Sequence, residues 1–548
     1  MSDTAAPSRR LHHGWIAALI GVISFLLLAA TNSLYGITYD EPIYQSKSMQ
    51  AVEWLKALSV DPGYAISAEG VDRYWQATDM HPGFYKLVTG ISGVTVASLT
   101  GSSEALRTGT NLLAALCLAA LYLFVAPLWG RAAGLYAVGA LLLMPHVFAA
   151  CHLAALDAPI MAMCLLTIAA TWRAAYAGTS GTTVGKEQAP RRRLSPAWRW
   201  SLLAGLLWGL ALGTKLNAFF VPFAVFPWAL VYARRHLAKL AASYAVLGPL
   251  VFLGTWPWLW HDTATRFSEY FQFHFRHWEI AVTYFGKVYQ VAPWHYPLVM
   301  TTITTPPVTL LLALVGLAVL FRVRRLEPMH RSFLVLAAWS LVVNLVPSCL
   351  PTSPKYNGVR LFLPIFPFMA TLAAVGFSSL LRPLVARFGQ AEQRPKVVAL
   401  ALFLALIGPL AATGRFTPFH LSYYNALVGG LPGATRLGME PTYWGDSYRS
   451  AALWLAGNAP QGATVWVEPM GYESAFRLFE LGPLRPDLHF SSGPQGSASS
   501  DFAVTQNKPT ELSDLTRNLI ATQQPVYTDG VDGVPLIYVF RLRGSQTP

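Results

Sequence analysis

Residues 13–44 read HGWIAALIGVISFLLLAATNSLYGITYDEPIY. The first part, His13–Tyr35, is an apolar run long enough to cross a bilayer, for which roughly 20 such residues suffice. It is longer than a signal-peptide core and lacks a small-residue cleavage site, so it reads as a retained signal-anchor. Two adjacent carboxylates, Asp40 and Glu41, follow at once. Ionisable groups at membrane depth are costly without a partner or a role. A wetted acidic loop is the plainer reading of such a pair, and the rest of the chain argues against it.

Of 548 residues, 54% are hydrophobic and only 12% charged, and the mean hydropathy is +0.40. Such a composition describes a polytopic membrane protein. Lys and Arg number 40 against 27 Asp and Glu, a net charge of +13. In a soluble chain this would suggest nucleic acid; here the positive-inside rule accounts for it, and no nucleic-acid partner is expected. The cysteines Cys117, Cys151, Cys164 and Cys349 form no CxxC, so neither a disulfide framework nor a zinc-thiolate site is indicated.

Apolar runs of spanning character fall at 14–35, 109–128, 133–150, 153–174, 200–216, 218–232, 240–257, 305–321, 332–348, 360–381 and 397–413. The basic connections, among them Arg9–His13, Arg173–Arg199, Arg234–Lys239, Arg322–Arg331 and Arg382–Lys396, all fall on the side of the N-terminus. That side is therefore cytoplasmic, and Asp40 faces outward. Phe84–Leu99, with Lys86 and two glycines, reads as a re-entrant or interfacial helix. The short runs 200–216 and 218–232 read as a helical hairpin with Lys215 at its tip, and Pro257–Thr304 as a long aromatic outer loop. The chain thus divides into a transmembrane part, 1–413, and a small outer α/β domain, 414–548. In the latter Ser447–Ala456 reads as a helix, and Ala463–Glu468 and Leu536–Leu542 as strands.

On this topology the outer face collects Asp40, Glu41, Asp79, His81, Asp157, Lys215, Lys355, Arg360 and the histidines of 261–295. Each has a plainer alternative. Asp157 starts a span with Pro159 in its first turn, as a helix N-cap does. Lys215 suits a snorkelling lysine, and His81 before Pro82 suits a loop histidine. Asp79, His81, His274 and His277 are the candidate metal ligands, but without tight ligand spacing, and metal dependence stays open.

Together these residues resemble a family. Tyr39-Asp40-Glu41 is similar to the acidic motif in the first outer loop of protein O-mannosyltransferases and aminoarabinose transferases, membrane glycosyltransferases of the GT-C class. Asp79-Met80-His81-Pro82-Gly83-Phe84-Tyr85-Lys86 resembles their His-Pro-Pro-Leu stretch, with Gly83 in place of the second proline. Cys151–Pro159 resembles their second Asp motif, with His152 near the position where they usually carry an arginine. Gly205–Leu216, Asn357–Phe368 and Leu421–Gly430 resemble further segments of the superfamily. The resemblance spans roughly residues 14–450. It implies an all-α fold of about 11–13 spans with the small α/β domain appended, in a bacterial inner membrane, and an active site at the outer leaflet.

The function expected is transfer of a sugar, with inversion, from a polyprenyl-phosphate donor to a hydroxyl of a protein, lipid or glycan acceptor. Asp40 is the candidate base, with Glu41 and Asp157 orienting acceptor or sugar. Lys215, Arg360 and Lys355 are the candidate phosphate ligands, and His81, Tyr39 and Lys86 candidate substrate contacts. No Gly-rich phosphate loop is present and no cofactor is called for. A transporter is the alternative, since intramembrane charges also mark substrate pathways. Against it, the charges gather at one face and no internal repeat is seen.

Overall fold

The computed structural model describes residues 6–76, 80–177, 194–276, 279–388, 393–473, 475 and 485–542. Its helices are α1 (Ala6–Thr31), α2 (Glu41–Val60), α3 (Pro62–Ile66), α4 (Ala68–Trp75), α5 (Gly83–Val96), α6 (Ser102–Trp129) and α7 (Arg131–Leu142). Then come α8 (Pro145–Ala150), α9 (Asp157–Tyr176), α10 (Pro196–Leu212), α11 (Val221–Tyr232), α12 (Leu237–Thr255), α13 (Thr263–Phe275) and α14 (Tyr296–Thr304). The last are α15 (Pro307–Ala318), α16 (Pro328–Leu345), α17 (Phe366–Arg387), α18 (Arg394–Arg415), α19 (Gly430–Arg436), α20 (Tyr448–Asn458) and α21 (Asp514–Thr522). Proline stands in the first turn of α2, α10, α15, α16, α17 and α18, where its missing N–H has no helical partner to lose.

Among the described residues, eight helices are long and apolar enough to cross a membrane, and Arg131–Leu142 and Leu216–Tyr232 are shorter apolar helices. The chain is an integral membrane protein. The most apolar stretch of α17 is 94% buried and that of α9 is 83%, against 17% for α1 and α18. So α9 and α17 form the centre, and α1 and α18 turn their apolar sides outward. Two glycines let the centre close. A Cβ on Gly316 of α15 would meet the Leu372 carbonyl at 1.9 Å, and one on Gly376 of α17 the Leu312 carbonyl at 2.0 Å. Small residues at crossings are how helices approach closely where lipid gives no hydrophobic drive.

Several expectations need correction. The run 133–150 is two helices, because Pro145 opens α8 and cannot continue α7. The pair 200–216 and 218–232 is not a closed hairpin: α10 packs on α9 and α12, while α11 packs on α16 and α9. The stretch 257–304 is folded, with a 3-10 turn at Pro257–Trp260, then α13, an antiparallel hairpin of β1 (Val282–Tyr284) and β2 (Lys287–Tyr289), and α14. Helix α5 has 14 residues, about 21 Å at 1.5 Å per residue, too short for a bilayer core of about 30 Å. It lies against α2 and α6.

The C-terminal part holds a mixed sheet of β3 (Thr464–Glu468), β4 (His489–Ser491), β5 (Phe502–Gln506), β6 (Tyr527–Val531) and β7 (Val534–Arg541) in the order β4-β3-β5-β7-β6. Strand β3 is parallel to both neighbours, and β7 antiparallel to both of its own. Helix α20 covers β5, β6 and β7. Ile37, from the loop after α1, is buried in the same apolar cluster as Val465, Val504 and Ile537. The Tyr472 hydroxyl donates to the Ile37 carbonyl and, at 2.7 Å, to that of Gly445. The first loop is therefore sewn into the last domain.

Candidate active site

Four charged side chains meet where α2 and α9 begin, beyond the end of α10 and at the 3-10 turn that leads into α17. Asp157, the first residue of α9, is 2% exposed, and its Oδ1 accepts from Lys215 Nζ at 2.5 Å. It is not a helix cap: no side chain caps α9. Lys215 precedes the 3-10 turn Leu216–Phe220 in an extended conformation, which throws its side chain toward α9. Asn217 Nδ2 donates to the Leu361 carbonyl at 3.1 Å, tying that turn to the segment bearing Arg360. Arg360 Nη2 donates to Asp40 Oδ2 at 2.8 Å, while its Nε stands 3.6 Å from Asp157 Oδ2 without a hydrogen-bond partner among the described residues.

Trp444 completes the arrangement. Its indole Nε1 donates to Asp40 Oδ2 at 3.1 Å, and the Arg360 guanidinium lies 4.0 Å from the centre of one of its rings. Tyr356 flanks the same guanidinium at 5.6 Å. Trp444 has φ +67°, a left-handed backbone uncommon for a bulky residue, and Gly445 follows with φ +88°. Such outliers persist where surrounding structure over-determines them, commonly at functional sites. Asp40 keeps partial access, with 24% of its side chain exposed.

Other candidates stand apart. Glu41 is fully buried and serves as a clamp: Arg107 donates to both of its oxygens at 2.8 Å, with the Thr38 and Ala154 backbone N–H groups also at 2.8 Å. It has no face to offer an acceptor or sugar. Arg107 also binds the carbonyls of Asn32, Tyr35 and Gly36. Lys355 is taken up by its own loop: its ammonium donates to the carbonyls of Leu350, Pro351 and Ser353 at 2.7, 3.3 and 2.7 Å. Burial lowers its pKa.

Lys86 is buried and donates to the His81 carbonyl at 2.8 Å, closing the turn into α5. Burial first, then the neighbouring His274 and Lys215, push the His81 imidazole well below its usual range, so it sits neutral beside the cations. His81 meets Tyr44 and His274 edge-on at 5.7 and 5.8 Å. Tyr39 is 44% exposed and stacks on Tyr472 at 6.1 Å. Asp79 and His277 lie outside the described residues. Among the described residues no three His, Cys, Asp or Glu side chains gather as metal ligands.

Trp444 and Arg107 were not foreseen. Arg107 had a signal, an arginine two residues ahead of an apolar run. Trp444 is one of 18 tryptophans, in a turn-rich stretch after the last span.

A family model described as dolichyl-phosphate-mannose-protein mannosyltransferase matches residues 92–284, which include Asp157 and Lys215 but neither Asp40 nor Arg360. Among solved structures, the apo oligosaccharyltransferase of Archaeoglobus fulgidus aligns at 12% identity and TM-score 0.50, covering 92% of this chain and 70% of that one. The chain resembles the GT-C glycosyltransferases. Crystal structures of ArnT from Cupriavidus metallidurans align at 16% identity and TM-score 0.49. They cover 96% of this chain and 98% of that one for the apo state, and 99% of both for the form bound to undecaprenyl phosphate. No curated protein matches the chain. With the GT-C fold in place, two carboxylates and two cations in alternation can accept a proton on one side of a reacting centre and steady an anion on the other.

Proposed function

We propose that the chain is a glycosyltransferase of the GT-C type that moves a sugar from a polyprenyl-phosphate donor to an acceptor hydroxyl on the outer face of the membrane. The observation that carries this reading is the four-residue cluster Asp40–Arg360–Asp157–Lys215. In it two cations and two carboxylates neutralise each other before any substrate arrives. The mannosyltransferase family model, whose match includes Asp157 and Lys215, lends support.

The acceptor oxygen bonds to the anomeric carbon as that carbon's bond to the phosphate oxygen breaks. The acceptor proton passes to Asp40, and the electron pair leaves with the polyprenyl phosphate. Attack from the face opposite the leaving group inverts the centre. The donor is a phosphodiester and the product a monoester, so negative charge grows on the leaving phosphate. Arg360 and Lys215 stand where charge-assisted hydrogen bonds would strengthen as it grows. Trp444 and Arg360 hold the Asp40 carboxylate in one orientation, which places the base before the acceptor binds.

The test is incubation of the purified protein with radiolabelled polyprenyl-phosphate hexose and membrane extract as acceptor source. Label should move to an acceptor with release of polyprenyl phosphate. Donor that binds and is never consumed, whatever acceptor fraction is supplied, would count against a transferase.

A further inference from the structure

A cleft opens beside Asp446, two residues beyond Trp444. It has a volume of about 430 Å³, within the range of ligand pockets, and is lined by Leu34, Phe419, Asp446, Arg449, Trp454 and Asp529 among others. Its place relative to the lipid follows from α1 and α18. Both are lipid-facing spans, and their exits are pinned at one level by the hydrogen bond between Tyr35 Oη and His420 Nδ1, 2.8 Å. Leu34 lies just beyond α1 and Phe419 just beyond α18. The cleft therefore sits where these two helices leave the bilayer.

Its polar groups keep spare capacity: Asp529 accepts from the Gly530 N–H at 2.8 Å and the Tyr527 hydroxyl at 3.3 Å, which leaves lone pairs on both oxygens. Asp446 is 4% exposed, and its Oδ2 has no hydrogen-bond partner among the described residues. Burial raises the Asp446 carboxyl to about 7. Arg449 is half-buried; among the described residues no carboxylate stands within ion-pair distance of it, and Glu104 acts on its charge from farther off. Asp529 faces the same space from β6. Trp454 stacks on Tyr527 at 5.5 Å, with 19° between the rings, forming an aromatic wall of the kind that lies at head-group depth. Leu34 and Leu453, 42% and 40% exposed, give the mouth an apolar rim.

A half-buried guanidinium with no ion-pair partner among the described residues can take an anion, and a phosphate matches its fork. Two carboxylates in the same cleft ask for an amine. One molecule at this depth supplies both groups with an apolar tail. We propose that the cleft holds the head group of an amine-bearing phospholipid, its phosphodiester on Arg449 and its ammonium on Asp529 and Asp446. This site is separate from the donor cluster, although Asp446 lies two residues beyond Trp444 and shares its loop.

The test uses the full chain, purified and delipidated, titrated with dioleoyl-phosphatidylethanolamine, -phosphatidylglycerol or -phosphatidylcholine and read by native mass spectrometry. The parent should prefer phosphatidylethanolamine. Arg449→Gln should weaken both phosphatidylethanolamine and phosphatidylglycerol by about 10-fold, the scale of one lost charge-assisted hydrogen bond. Asp529→Asn, at a partly exposed position, should erase the preference between them, whereas Arg322→Gln at a distant exposed site should not. Equal binding of the three lipids by the parent, or an unchanged preference in Asp529→Asn, overturns the proposal. Displacement of the lipid by a soluble trisaccharide overturns it in favour of a glycan site. None of these readouts depends on sugar transfer, so they stand whatever becomes of the transferase reading.

Discussion

Arg360 joins two carboxylates that come from well-separated parts of the sequence: its Nη2 is 2.8 Å from Asp40 Oδ2 and its Nε 3.6 Å from Asp157 Oδ2. One guanidinium sets their mutual position. Arg360→Lys keeps the charge and loses the fork. Transfer should fall in this variant while the thermal transition stays close to the parent's. Parental turnover in Arg360→Lys would show that a point charge suffices.

Asp40→Asn keeps the size of the side chain and removes the charge proposed to take the acceptor proton. Turnover should drop by roughly 10²-fold or more, the usual scale for a lost general base. Binding of the lipid donor should be retained, because Arg360 and Lys215 remain. Turnover measured beside donor binding separates the two effects, and near-parental turnover would remove Asp40 from the chemistry.

Glu41→Gln should fail for a different reason. Its carboxylate is locked on Arg107 and two backbone N–H groups with no solvent access. Removing one partner of a buried pair costs about 3–5 kcal/mol. The expected outcome is a lower melting temperature and poor membrane yield, with the surviving folded fraction turning over normally. A folded, stable and inactive Glu41→Gln protein would return this residue to the reaction.

Lys215→Met leaves Asp157 buried with Arg360 Nε as the nearest cation, and should both destabilise the chain and weaken donor binding. The double variant Lys215→Met/Asp157→Leu removes the stranded charge. Its stability should recover toward the parent's while donor binding does not. Recovery of both would mean that the pair serves folding alone.

Glu440 gives a pH signature. It is buried against the Thr283 N–H and the Thr510 hydroxyl, and burial raises its carboxyl to about 7 from an ordinary 4.5. The folded state then holds a proton that the unfolded state releases, so this group's contribution falls as pH rises from about 4.5 to 7. Each tenfold change in proton affinity is worth about 1.36 kcal/mol, so the whole loss comes to roughly 3 kcal/mol. Glu440→Gln should flatten the melting curve's dependence on pH over that window. An unchanged slope would place the titration elsewhere.

Much of this was legible in the sequence because charge is conspicuous in an apolar chain. Asp40, Asp157, Lys215 and Arg360 each stand at the edge of a hydrophobic run, and position alone picked them out. Lys355 stood out equally, yet its protons go to three carbonyls of its own loop, because position does not reveal where a flexible side chain turns. Glu41 looked like a twin of Asp40. Successive residues entering a helix point in different directions, and only the fold reveals that one is walled in by Arg107. Trp444 carried no such mark, since its role depends on a left-handed backbone and a contact across most of the chain.

That contact has a consequence for biosynthesis. Gly36 passes so close beneath the 442–447 loop that a Cβ there would meet the Asp446 carbonyl at 2.1 Å, and Tyr39 N–H donates to the Trp444 carbonyl at 2.9 Å. Asp40 is made 404 residues before its indole partner. The nascent chain therefore makes α2 through α18 while the loop after α1 waits unfinished. A chain stopped after α18 should insert and still lack transfer, which pulse-labelled truncations would reveal.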